Sequence, residues 1–106
     1  MSWIYLFLAG LFEMGWPLGF KLSQMPGYPK WLWLTAAIVS MCVSGALLWL
    51  AQRGIPIGTA YVVWTGIGAV GTLLIGIFFF GDSASVWRMA SALLIVAGIV
   101  GLRLAR

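Results

Sequence analysis

Apolar residues in this chain gather into four long runs, with almost no polar residue inside them. The first extends from Trp3 to Phe20 and closes at Lys21, ahead of a turn holding Pro26, Gly27 and Pro29. The second, Trp31 to Ala51, ends at Gln52, Arg53 and Gly54 before Pro56. The third runs from Ile57 to Phe80 and stops at Gly81 and Asp82, and the fourth from Val86 to Leu104. A helix crossing roughly 30 Å of hydrocarbon needs about 20 apolar residues. The pattern therefore predicts an all-α membrane protein with transmembrane helices over about 3–21, 31–51, 57–80 and 86–104. Short connections make successive helices antiparallel neighbours. Residues 1–106 then form a single transmembrane domain with no room for a soluble one.

Composition agrees: 63% of the 106 residues are hydrophobic and 8% are charged, too little polar surface to cover a water-soluble domain of this size. The first run has no basic segment before it and no small-residue cleavage pattern after it, so it reads as a span rather than a signal peptide. Cys42, the one cysteine, excludes an intrachain disulfide and is expected to be a small buried packing residue. No metal-ligand spacing is present.

The net charge of +4 would in a soluble protein raise nucleic-acid binding. Here Lys21, Lys30, Arg53, Arg88, Arg103 and Arg106 fall singly beside the apolar runs and read as membrane-end anchors. With the N-terminus on one side, that side carries Arg53, Arg103 and Arg106, and the other carries Lys21, Lys30 and Arg88. Three against three leaves no preferred orientation under the positive-inside rule. Such a chain can insert both ways and pair with itself as an antiparallel dimer. The alternative is that charges misassigned at the boundaries hide a bias.

Against this background Glu13 stands out. It lies near the middle of the first run, between Phe12 and Met14, where an ionised group costs at least ~2.5 kcal/mol and normally faces a bundle interior or aqueous cavity. No basic side chain lies at its depth. A lone carboxyl in hydrocarbon favours its protonated form, and an entering cation favours the carboxylate. One group that takes either a proton or a cation is the minimum equipment of a proton-coupled antiporter. The structural alternative is a protonated Glu13 acting as hydrogen-bonded glue between helices. Asp82, in a Gly-Asp-Ser turn, reads as a solvated helix end.

Trp16, three residues after Glu13, shares its helix face. Tyr61 and Trp64 are likewise three apart, with Thr65 beside them. Most of the seven tryptophans sit near membrane ends, but Trp16 and Trp64 lie deeper, where an indole N–H needs a partner and a carboxylate is a good one. Ser40 and Ser44 are one turn apart on the second helix; each could face a site or bond the carbonyl four residues earlier in its own helix. Pro17 removes the helix hydrogen bond to the carbonyl of residue 13 and predicts a kink there. Gly66-Ile67-Gly68-Ala69-Val70-Gly71 matches a dinucleotide-binding pattern in letters only, because it lies inside an apolar run with no preceding strand. Gly66, Gly68 and Gly71 instead suit close packing and bending, and make the third helix the expected flexing element. Small residues Ala90, Ala97, Gly98 and Gly101 on the fourth helix suit a seam with another helix, most simply the dimer contact.

Glu13 with Trp16 one turn on, and the stretch from Pro56 through Gly58-Thr59-Ala60-Tyr61-Val62-Val63-Trp64-Thr65-Gly66-Ile67-Gly68 to Gly71, give the chain a close resemblance over its whole length to the small multidrug resistance family, guanidinium exporter subtype. That resemblance implies a single transporter domain in the bacterial inner membrane, working as an antiparallel, dual-topology homodimer that exchanges protons for guanidinium-like cations by alternating access. It implies that Glu13 is the shared proton and substrate site, that Trp16, Ser44 and Trp64 surround or hydrogen-bond the carboxylate, and that Tyr61 lines the site. The glycines of the third helix would let the two protomers exchange conformations. Gly15 and Pro17 depart from the family's usual Ala-rich first helix and bring substituted guanidinium compounds into range. The expected protein is neither an enzyme nor dependent on a cofactor or metal. Two other readings remain on sequence grounds: a promiscuous exporter of quaternary ammonium cations, and a non-transporting membrane subunit serving assembly.

Overall fold

The computed structural model describes residues 1–105 and consists of five helical segments: α1 (Ser2–Glu13), α2 (Gly15–Ser23), α3 (Lys30–Ala51), α4 (Ile57–Phe80) and α5 (Val86–Ala105). Arg106, counted above among the anchors, lies outside the described residues. With α1 and α2 taken together as Ser2–Ser23, four helical stretches are long and apolar enough to cross a membrane.

Local chemistry sets the ends of these helices. Pro29 and Pro56, both extended, precede α3 and α4 at positions where a missing N–H costs nothing. Gly81 closes α4 in the left-handed region at φ 72°, and the Asp82 N–H then bonds back to the Gly76 carbonyl at 3.0 Å. Ser85 begins α5 by accepting the Arg88 N–H at 3.3 Å.

The first apolar run, predicted as one helix over about 3–21, is two. It breaks at Met14, whose N–H reaches back only three residues to the Leu11 carbonyl at 3.3 Å. Pro17 is the reason: it has no N–H to donate to Glu13, so the regular ladder cannot run through this turn. Glycine-rich α4 is by contrast unbroken from Ile57 to Phe80.

The helices form a slab whose Cα extents are 46 × 34 × 16 Å. α1 is central: it packs between α3 and α4, α2 continues along α3, and α5 packs its backbone on α4 alone. The core gathers where α1 starts and α3 ends, with Leu6, Ala51, Ile55, Ala60 and Val63 buried and Trp64, Ile67 and Ile99 against them. The outward faces carry Ile4, Phe7, Leu32, Ile38, Phe78 and Leu93, all exposed, as suits a surface against lipid.

Basic residues at the helix ends lie over neighbouring indoles. The Arg103 guanidinium sits 4.8 Å from the Trp3 ring, Arg53 5.0 Å from Trp49, and the Lys30 ammonium 5.7 Å from Trp31. Each pair combines an interfacial aromatic ring with a cation that stays near water. Cys42 is a correction: it is exposed, not buried. Its neighbour Ser44 points into the protein, and two residues along a helix is a rotation of about 200°, which turns Cys42 to the outer face.

Candidate functional site

Glu13 is the last residue of α1, at the break, and its side chain lies against α4. The approach depends on Gly68. A Cβ built at that position would stand 2.6 Å from Glu13 Cγ, closer than carbon atoms pack. Beside the carboxylate opens a cavity of about 320 Å³ lined by Glu13, Trp16, Pro17, Thr65, Gly68, Ala69 and Thr72. That is about ten times the ~30 Å³ share of one liquid water. Thr65 donates its hydroxyl proton to carbonyls of its own helix, Tyr61 at 2.8 Å and Val62 at 3.2 Å. Only its oxygen lone pairs are then left for anything in the cavity.

On its other side Glu13 lies beside a chain of hydrogen bonds that links α4, α3 and α1. The Trp64 indole N–H donates to Ser44 Oγ at 2.8 Å, and Ser44 Oγ donates to the Ala9 carbonyl at 2.7 Å. Ser44 Oγ also lies 3.5 Å from Glu13 Oε1, at the outer limit of hydrogen bonding. Ser44 is fully buried, so each of these polar atoms needs its partner. A hydroxyl has one proton to give, and in this arrangement the Ala9 carbonyl takes it rather than the carboxylate.

Ser40, one turn earlier, donates to the Phe12 carbonyl at 2.6 Å. Neither serine follows the usual course of bonding the carbonyl four residues back in its own helix. Both reach across to α1, because α1 and α3 approach closely enough at Ala9 and Phe12 to put foreign carbonyls within range.

The residues singled out from sequence are thus distributed unequally. Trp64 and Ser44 join in a hydrogen-bonded chain that ends on Ala9 and passes 3.5 Å from Glu13, and Trp16 faces the cavity from α2 with its ring edge-on to Phe20 at 5.6 Å. Tyr61 does not line that cavity. It is 55% exposed, and its ring lies against Trp64 with the centroids 5.5 Å apart. Gly66, Gly68 and Gly71 carry close packing against Ile99, Glu13 and Met14 respectively. Ala90, Ala97, Gly98 and Gly101 are exposed on α5, and a Cβ added at Gly98 or Gly101 would meet nothing. Thr72 and Ala69 belong to the cavity and were not picked out. Their spacing from Thr65, seven and four residues respectively, was the available signal, since it repeats one face of α4. Among the described residues no group of three metal-ligating side chains exists.

Comparison with known proteins adds to this geometry. A family described as Small Multidrug Resistance protein matches residues 1–95. A protein of Proteus vulgaris named guanidinium exporter is 49% identical over 105 residues, covering 99% of each chain. Guanidinium exporters of Escherichia coli K12 and Citrobacter freundii are 48% and 50% identical over 104 residues, covering 98% of this chain and 97% of each relative.

Proposed function

We propose that this chain, which belongs to the small multidrug resistance family and is a multi-pass protein of the bacterial inner membrane, is a proton-coupled antiporter exporting guanidinium or small substituted guanidinium cations. The observation that carries the reading is Glu13 set at a helix break, against Gly68, on the wall of a cavity that Trp16 also lines. The names of its relatives support the same substrate.

The chemistry follows from the groups present. Guanidinium is planar and offers parallel N–H donors that a carboxylate accepts two at a time. The Trp16 ring beside it can add cation–π attraction. Thr65 Oγ1, its proton already given to α4, can accept a further N–H. Ser44 and Trp64 steady Glu13 from behind. A proton and the cation compete for the same oxygens, so export of one accompanies import of the other when the carboxyl faces each side in turn. Nothing in this cycle makes or breaks a covalent bond of the substrate, and no cofactor takes part.

Alternating access calls for a second copy. The slab is only 16 Å thick, and the Glu13 cavity is open on one side. An antiparallel homodimer would close it and bring two Glu13 groups toward a shared site. Balanced end charges favour insertion both ways, and the unpartnered small residues of α5 offer a contact. Flexing at Gly66, Gly68 and Gly71 would let the protomers exchange shapes.

Proteoliposomes with an imposed proton gradient test the proposal. Guanidinium and alkylguanidiniums should drive proton-coupled currents that Glu13→Gln abolishes. Tight binding of tetraalkylammonium without guanidinium would move the assignment to quaternary ammonium export. Full function in Glu13→Gln would instead indicate a non-transporting subunit.

A further inference from the structure

Position 17 is a proline, and its effect reaches beyond the residue that loses a hydrogen bond. The break it imposes falls at Met14, where the last turn of α1 closes with cap N–H groups on the Leu11 and Phe12 carbonyls while the Glu13 carbonyl loses the donor that residue 17 would supply. The Phe12 carbonyl, next to Glu13, already accepts one of these N–H groups, and Ser40 of α3 adds a second hydrogen bond to it at 2.6 Å. Room for that hydroxyl exists because residue 15 is glycine: a Cβ there would collide with Ser40 Oγ and stand 2.7 Å from Ser40 Cβ. Pro17, Gly15 and Ser40 are therefore one device, in which the proline interrupts the helix, the glycine admits the serine, and the serine ties down the loose end.

The loose end is the peptide that leads into Glu13. Its carboxylate must stay against Gly68, where the Cγ fits only because no Cβ is present. Ser44 grips α1 a turn earlier, at Ala9, and Ser40 grips it at Phe12. Two anchors one turn apart on α3 fix both the position and the rotation of the α1 end. We infer that Ser40 is a positioning residue for cation binding: by capping the Phe12 carbonyl at the Pro17 break, it aims the Glu13 carboxylate at the α4 cavity. The inference rests on Glu13 being the cation site.

A double-mutant cycle in the full-length protein tests it, with guanidinium as the probe. An intramembrane hydrogen bond of this kind supports an effect of about threefold to tenfold. Ser40→Ala should weaken guanidinium affinity by that factor and shift its pH profile, and Ser40→Thr should keep near-native affinity. Pro17→Ala restores an N–H and a continuous helix, so in that background Ser40→Ala should change affinity less than twofold. A support role in folding alone would lower both backgrounds equally, which overturns the inference. Unchanged affinity in monodisperse Ser40→Ala, while Glu13→Gln loses binding, overturns it as well and leaves the functional reading standing. Retained guanidinium binding in Glu13→Gln removes that reading and the inference with it.

Discussion

Glu13 and Gly68 meet at a distance that only a missing side chain allows, and this contact makes a sharp test at the scale of one residue. Gly68→Ala places a carbon 2.6 Å from Glu13 Cγ, and the backbone of α4 is held by its own ladder and cannot retreat. The glutamate must swing away instead. Guanidinium affinity should fall at least tenfold in Gly68→Ala while the protein still purifies as a discrete species, measured by isothermal titration and gel filtration. Native affinity would mean that the contact is incidental. The proposed site has its own signature: if Glu13 is shared as proposed, protons and guanidinium compete for one carboxyl. Apparent Kd should therefore rise as pH falls, approaching tenfold per unit where the acid dominates. A Kd constant from pH 6 to 9 would refute the competition.

At the scale of elements, the molecule relies on polar links between helices whose apolar surfaces gain little by leaving lipid. The Trp64–Ser44–Ala9 chain ties α4, α3 and α1 together with every buried polar atom satisfied. Ser44→Ala leaves the Trp64 indole N–H without its acceptor and should destabilise the protein by about 2 kcal/mol. Adding Trp64→Phe removes the orphaned N–H and should recover part of the loss. Unfolding by denaturing detergent, followed by circular dichroism, reads both. Recovery is the diagnostic, since simple loss of packing would make the double variant worse. The α1–α2 break belongs to this scale too. Pro17 and the absence of its N–H were plain in the chain, and so was the prospect of a kink. The side chain that ties α1 to α3 beside the break was not: Ser40 lies 28 residues from Phe12, and its hydroxyl had a carbonyl of its own helix equally available on spacing.

The whole molecule is thin, and its basic residues are divided evenly between the two ends of its helices. Its large exposed apolar side chains suit lipid, but its one intramembrane acid stands at an open cavity. Insertion in both orientations would supply the second half. Reporter fusions at the C-terminus should be active on both sides of the membrane, and two added arginines at one end should bias them to one side. Activity on a single side in the unaltered chain would sink dual insertion. Gly101→Leu offers the complementary test, because the protomer leaves open space there. It should preserve helicity while shifting the dimer–monomer balance toward monomer in analytical ultracentrifugation.

Hydropathy alone determined that the chain is four membrane-crossing stretches with an acid inside the first, because a bilayer imposes a fixed length and a fixed penalty for charge wherever the rest of the protein lies. Turn chemistry likewise marked the helix ends at Pro29, Pro56 and Gly81 locally. Only the tertiary structure decided that Cys42 faces outward, that Tyr61 stays off the Glu13 cavity while Thr72 enters it, and that two serines bond α1 instead of their own helix. Each of these depends on the rotation of one helix against another. Spacing along a chain defines a face, but which face meets a neighbour is settled by close packing at points such as Gly15 and Gly68, where the neighbour lies far away in sequence.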